Sequence, residues 1–299
     1  MIEMIKRALK KGNLIEKILC YFLIKIGFSN LSVQALQIRN KEFKRMEKKY
    51  GRRVHVILKN PLEKTTVRTI WICWFQGIEN APELVKKCVK SVYENSIGWD
   101  IVLLSKDNVM NYVDFPDYII KKWNEGKIGN AHMSDILRTE LLIKYGGLWV
   151  DATVYLSGPL PGYIDRNGFF MYRHSVPDDI TIQFNNWLIY SRPQNEVLIN
   201  IRDFLYEYWK KNNSVREYFI WHLFLTMIVN KNPNIFCEIP YVTDELTQTL
   251  SRILFYPYDA CFWKELSAMT PVHKLSYKKQ IENIDDDTYY AKLMGGGCE

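Results

Sequence analysis

The sequence predicts an α/β domain with a Rossmann-like mixed sheet, preceded by a basic helical segment. Three observations carry this. From about residue 63 onward, apolar β-branched runs alternate with stretches of helical period. The first of them form a strand–helix–strand unit, the building block of a parallel sheet. Before them, apolar residues recur at steps of three and four with lysines in between.

In the N-terminal segment, Ile2, Ile5 and Leu9, then Ile15, Ile18, Phe22 and Ile26, stand at helical spacing among Lys6, Arg7, Lys10, Lys11, Lys17 and Lys25. This is a pair of basic amphipathic helices broken near Gly12-Asn13. Two placements satisfy it: an anionic membrane surface, where each basic residue near the lipid contributes ~1 kcal/mol, or a hairpin packed on the body of the protein. Residues 39–53 are densely charged and read as a solvated helix end or linker. The boundary therefore falls near residue 62, with residues 1–62 as the basic segment and residues 63–299 as the α/β domain.

Val67 to Phe75 is rich in β-branched and aromatic residues and reads as a buried strand, followed by a turn over Gly77 to Ala81. Pro82 opens a helix with Val85, Val89 and Val92 on one face, ending near Gly98, and Asp100 to Leu104 is a second strand. Such a unit gathers ligands at the carboxyl edge of its sheet. No Gly-x-Gly-x-x-Gly and no Walker loop follows the first strand, so the fingerprints of dinucleotide and P-loop binding are missing.

The stretch Ala131 to Leu156 is the most informative. Ser134 is the expected N-cap, Ile136 to Tyr145 the helix, and Gly146-Gly147 its stop. Asp135 and Arg138, three residues apart, share one face of its first turn. Leu148 to Val150 is a strand that delivers Asp151 to its carboxyl end, where a carboxylate meets a ligand more often than it packs.

The formal net charge is +7, with 12 Lys and Arg against 4 Asp and Glu in residues 1–50 and 28 against 29 in the remainder. The basic balance thus belongs to the first sixth of the chain. A near-neutral body, and a basic segment interleaved with aliphatic rather than aromatic residues, argue against a nucleic-acid partner. Six cysteines without a Cys-x-x-Cys pair or a Cys/His cluster suggest neither a disulfide framework nor a zinc site, and read as reduced thiols. The longest apolar runs, Ile18 to Ile24 and Ile220 to Val229, are well short of the ~20 residues that span a bilayer. No cleavable secretory signal is recognisable. The expected location is cytoplasmic, peripheral on the inner face of the cell membrane.

Ile70-Trp-Ile-Cys-Trp-Phe-Gln-Gly77, Ala131-His-Met-Ser-Asp-Ile-Leu-Arg138 and Tyr145-Gly-Gly-Leu-Trp-Val-Asp-Ala-Thr-Val154 together resemble the capsular polysaccharide synthesis glycosyltransferases of bacteria, related to the family 32 transferases with a GT-A fold. The resemblance covers roughly residues 65–280. The linked pair, Ser-Asp-x-x-Arg followed at fixed distance by Gly-Gly-x-x-x-Asp, is its specific part.

It implies a GT-A-like domain that transfers a sugar from a nucleotide-sugar donor, UDP-linked, to a lipid-linked glycan or oligosaccharide acceptor, with retention of configuration. In that scheme Asp135 and Arg138 hold the donor sugar or ribose, Asp151 sits at the metal and diphosphate, and Trp74 stacks on the base. A hard, oxygen-liganded Mn²⁺ or Mg²⁺ would stabilise the leaving group. The chain departs from the family's Asp-x-Asp at one point. Here it reads Asp151-Ala-Thr153, so a neutral, weaker hydroxyl replaces the second carboxylate and the metal dependence is open. The segment Pro271 to Lys279 resembles the late His and Ser-Trp elements, which makes His273 a metal or diphosphate candidate and Ser276, Tyr277 and Lys278 phosphate contacts. Asn186 falls in a segment resembling the acceptor side, and Trp74 is equally readable as core. His222, inside an apolar run, is read as a core or interface histidine outside the catalytic set. The rival readings are a sugar-phosphate transferase, a nucleotide-sugar hydrolase and a non-catalytic membrane-surface module.

Overall fold

The computed structural model describes residues 31–55, 66–175, 179–278 and 285–295. The paired basic helices expected before residue 30 lie outside the described residues. The first described element is a helix, Leu31–Tyr50 (α1). Phe43, Met46 and Tyr50, at steps of three and four, are buried, and the Tyr50 ring meets Phe204 and Phe224 edge-on at 5.7 and 5.3 Å. Arg39 pairs with Asp179 and lies 4.3 Å over the Phe219 ring. Residues 39–53 are therefore not the solvated end or linker that their charge density suggested. The lysines occupy one face of α1, and the other face is docked on the body.

Downstream come β1 (Thr69–Cys73), α2 (Glu83–Asn95), β2 (Asp100–Leu104), α3 (Asp117–Asn124), α4 (Asn130–Lys144), β3 (Gly147–Val150), β4 (Val154–Leu156), β5 (Phe169–Arg173) and β6 (Phe184–Ser191). Then follow α5 (Glu196–Lys211), α6 (Ile220–Lys231), the short α7 (Asn234–Glu238) and α8 (Thr249–Ile253), α9 (Ala260–Met269), β7 (Val272–Lys274) and α10 (Tyr289–Gly295). Five strands form one sheet in the order β2-β1-β3-β6-β5. β1 runs parallel to both β2 and β3, while β6 is antiparallel to both β3 and β5, so the sheet is mixed as expected. β4 and β7 pair separately as a short antiparallel ribbon.

The period of two along the central strands divides the core. Ile70 and Ile72 of β1, with Leu148 and Val150 of β3, pack in one cluster with Val85, Val89 and Val92 of α2. Trp71 and Trp149 point to the other face, where α4, α5, α6 and α1 bring Leu141, Leu198, Leu223 and Met46 into a second cluster. The product is a three-layer α/β/α arrangement. A third cluster, including Leu84, Tyr155, Trp263 and Leu266, seats the β4–β7 ribbon and α9 against the back of α2.

Two details of α4 fix the site. The helix starts at Asn130 after Gly129, so Ser134 is an interior residue one turn in and not the N-cap expected for it. Trp123 Nε1 donates to Asn130 Oδ1 at 3.0 Å and anchors that first turn. At the other end Gly146 and Gly147 stop the helix as expected, both at positive φ of 70° and 96°. A Cβ on Gly147 would stand 2.4 Å from the Thr69 carbonyl oxygen, so only glycine lets β3 enter the sheet directly behind the helix.

Candidate active site

β1 connects through α2 to β2 on one side, while β3 pairs on its other side, which makes the carboxyl ends of β1 and β3 the switch point of the sheet. A cleft of about 410 Å³ opens there. Its floor is Asp151 to Thr153, just beyond β3, and one wall is Cys73 to Gln76, just beyond β1. The opposite wall comes from the first half of α4 with Asn185 to Trp187 of β6, and the segment 274–278 following the ribbon closes the third side.

Arg138 is the hub. It is buried, and its guanidinium is spread over protein partners: Nε donates to the Ser134 carbonyl at 3.2 Å, Nη2 to Ser134 Oγ at 3.1 Å, and Nη1 to the Asn186 carbonyl. Nη2 also lies 3.5 Å from Asp135 Oδ1 and 3.3 Å from Asp151 Oδ1, and the group rests 4.9 Å over the Trp149 ring. Asp135 and Asp151 are thus joined through one cation. Asn186 Nδ2 donates to Asp135 Oδ1 at 2.8 Å, and His132 Nδ1 stands 3.7 Å from Oδ2. Burial alone would raise the Asp135 carboxyl. Arg138 and His132 outweigh it and hold the group below its ordinary value, so Asp135 is an anion and a poor base. Asp151 Oδ1 additionally accepts from Trp149 Nε1 at 2.9 Å.

The cleft gathers Asp135, Arg138, Asp151, Thr153, Trp74, Asn186, Ser276, Tyr277 and Lys278. Trp74 and Tyr277 meet edge-to-face at 5.3 Å at the mouth, and the Trp74 Nε1–H is buried without a hydrogen-bond partner. Asn186 sits within β6, and its amide serves Asp135. The exception is His273. Its ring is fully buried between Tyr155 and Trp263, with Nε2 2.9 Å from Ser157 Oγ, and it does not reach the cleft. The reason is strand alternation: on β7, His273 points into the core and Lys274 points into the cleft.

Lys274 is the residue that sequence reading missed. Its Nζ donates to Thr153 Oγ1 at 2.5 Å and to the Leu275 carbonyl at 3.2 Å, and lies 3.8 Å from Asp151 Oδ2. The signal was present in the period-2 flank of His273. His222, read as a core or interface histidine, is buried and also lines the cleft. Burial pushes its imidazole down to about 4, so it is neutral at neutral pH. Tyr218 and Asn185 complete that wall, the Asn185 amide nitrogen being buried without a partner. Cys73 also lines the cleft, but burial drives its thiol far up, which disfavours a thiolate nucleophile.

A divalent cation needs several hard oxygen donors. Asp151 presents one oxygen to Arg138 and the other to Lys274, Thr153 Oγ1 is taken by Lys274, and His273 is absent from the cleft. Among the described residues no group of three His, Cys, Asp or Glu is gathered to hold a metal. The expected set of Asp151, Thr153 and His273 does not fit a metal ion.

Comparison with known proteins places the chain. The profile of the family described as capsular polysaccharide synthesis protein matches residues 24–293, nearly the whole length. The chain belongs to that family. Among curated proteins, this capsular polysaccharide synthesis family member is similar to the O-glycosyltransferase braB of Annulohypoxylon truncatum, 28% identical over 153 residues, covering 46% of this chain and 33% of that protein. It is also similar to the glycosyltransferase afumC of Aspergillus fumigatus (strain CBS 144.89 / FGSC A1163 / CEA10), 30% identical over 105 residues, covering 32% and 27%. The family member thus spans about a third or less of the length of these curated relatives. Among solved structures, the PaToxG glycosyltransferase superposes with a TM-score of 0.38 at 16% identity, over 67% of this chain and 80% of that one. The apo-form glycosyltransferase GlyE of Streptococcus pneumoniae TIGR4 superposes with a TM-score of 0.41 at 13% identity, over 78% and 61%.

Proposed function

We propose that the protein is a GT-A-like glycosyltransferase that moves a sugar from a UDP-linked donor to a lipid-linked glycan in surface polysaccharide assembly. One observation carries the reading. A cleft at the switch point of a mixed α/β sheet brings two anchored carboxylates, an aromatic pair and basic residues to one place. The family membership and the glycosyltransferase names of the curated relatives point the same way.

In this reading Trp74 and Tyr277 frame the base, where a stacking contact contributes roughly 1–3 kcal/mol. Asp151, locked by Trp149 and Arg138, accepts from the donor's hydroxyls. Arg138 is a positioning residue, because its donors are already spent on the protein. Ser276 and Lys278 meet the diphosphate, and Tyr218, His222 and Asn185 form the acceptor wall. Neither carboxylate is free to serve as a base, which favours front-face attack, in which the departing phosphate takes the acceptor's proton and configuration is retained. Residues 1–30 carry 6 Lys and Arg against 2 Asp and Glu, and would hold the enzyme on the anionic inner face of the membrane. Among the described residues no helix is long and apolar enough to cross it.

The test is thermal-shift screening of nucleotide-sugars followed by transfer to lipid-linked acceptors with a labelled donor. We expect one donor to stabilise the protein and Asp151→Asn to lower turnover by about 10²–10³-fold. A phosphate found on the product would favour the sugar-phosphate transferase, and free sugar alone the hydrolase.

A further inference from the structure

The cleft lacks a metal's donor set, and a lysine stands at two of the residues expected to hold one. The resemblance assigns a metal to the two outer positions of the Asp-x-Asp motif. Here the residues at those positions, Asp151 and Thr153, are bridged by the ammonium of Lys274, 2.5 Å from Thr153 Oγ1 and 3.8 Å from Asp151 Oδ2. A cation bound to both residues would have to displace Nζ. The charge count leads the same way. The carboxylates of Asp135 and Asp151 face the cations of Arg138 and Lys274, so the side chains by themselves leave no uncompensated negative charge to hold a dication before the diphosphate enters.

We propose that Lys274 replaces the divalent cation, and that its ammonium neutralises the diphosphate leaving group so that transfer needs no metal. This rests on the nucleotide-sugar reading of the same cleft. The bond between the sugar's anomeric carbon and the β-phosphate oxygen breaks with its electron pair on that oxygen. The acceptor hydroxyl oxygen bonds to the anomeric carbon, and its proton passes to the departing phosphate. Burial lowers the Lys274 ammonium from its ordinary 10.5 and the Asp151 carboxylate beside it opposes that shift; in the transfer Lys274 keeps its proton and donates a hydrogen bond to the charge that develops. An ammonium has three N–H donors and can exchange its contact with Thr153 for one to phosphate. Lys278, exposed at the mouth, adds a second positive charge on the same side. Thr153 then serves the lysine rather than a metal: a carboxylate there would bind the ammonium more tightly and hold it back from the phosphate, whereas a neutral hydroxyl releases it.

The test is isothermal titration calorimetry of UDP, GDP, ADP and CDP into the full chain, in EDTA and again with Mn²⁺, for the wild type, Lys274→Met and Lys274→Arg. One diphosphate is expected to bind with the same affinity within about twofold in both conditions. Lys274→Met should weaken it tenfold or more while Lys274→Arg keeps most of it, and turnover of Lys274→Met should fall about 10²–10³-fold, as when one preorganised donor is removed. Binding that disappears in EDTA and returns with Mn²⁺ overturns the inference and leaves the nucleotide-sugar reading standing. So does a folded Lys274→Met that binds like the wild type. The wild-type comparison does not depend on that variant folding. If no diphosphate binds in either condition, the nucleotide-sugar reading fails and the inference with it.

Discussion

Arg138 joins two carboxylates that would otherwise be neighbours of like sign in a half-dry cleft. Removing one partner of such a buried set leaves the others uncompensated, at a cost of about 3–5 kcal/mol. Arg138→Met should therefore lower the melting temperature by roughly 6–20 °C, at about 2–4 °C per kcal/mol for a chain of this size, besides abolishing transfer. Arg138→Lys should recover little, because an ammonium cannot reproduce the planar fork that spans Ser134, Asn186, Asp135 and Asp151. Calorimetric melting checks both; a wild-type midpoint for Arg138→Met would remove the residue from the hub. Asp135, Arg138 and Asp151 were legible in the sequence because helical and strand periods place them on a common edge. That Arg138 is turned toward protein rather than substrate was not, because two of its acceptors, the carbonyls of Ser134 and Asn186, are backbone atoms that every residue carries.

At the scale of the element, α1 is the finding that sequence charge concealed. A residue count along 39–53 registers lysines and arginines, whereas the buried stripe needs only Phe43, Met46 and Tyr50. Tyr50→Ala empties a site between Phe204 and Phe224, and by analogy with Phe→Ala changes in cores should cost roughly 3–5 kcal/mol. Deleting residues 1–30 should leave the melting midpoint close to that of the full chain while lowering binding to anionic vesicles. Deletion through residue 50 should destabilise the body strongly, because it removes the docked helix. Thermal melts and vesicle sedimentation of the two truncations separate these outcomes. The strands read correctly were those with helices between them. β6 was missed because nearly all of it is buried, which erases the alternation, and because Asn185-Asn186 imitates a turn. β4 and β7, three residues each, are too short for any period to register.

For the molecule as a whole, the buried imidazoles weaken the fold in acid, while Glu42 and Glu140, raised by burial, act the other way. Burial lowers His222 to about 4 and His273 to about 3, against an ordinary value of 6.5. Between those values the unfolded chain binds protons that the folded one refuses, so stability rises with pH across the window and is lost as pH falls from about 6.5 toward 4. Asp135 and Asp244, held below their ordinary 3.8, add to the loss only in stronger acid. Melting midpoints should fall steadily from pH 7 to pH 4.5, and His273→Asn should flatten that slope. An unchanged slope in the variant would show that His273 takes no part in the loss.

The ribbon that carries Lys274 is held by three residue pairs, Val154 with Lys274, Tyr155 with His273 and Leu156 with Val272. A slip of one position would exchange a neutral imidazole for the ammonium at the cleft. The spacing between α9 and β7, with Thr270 and Val272 buried on either side of Pro271, is therefore under a constraint of charge as well as of packing. A single-residue insertion or deletion at Thr270-Pro271, harmless in most surface connections, would act here as a change of charge in the cleft, and lineages that keep the chemistry should keep the length of that connection even where its residues drift.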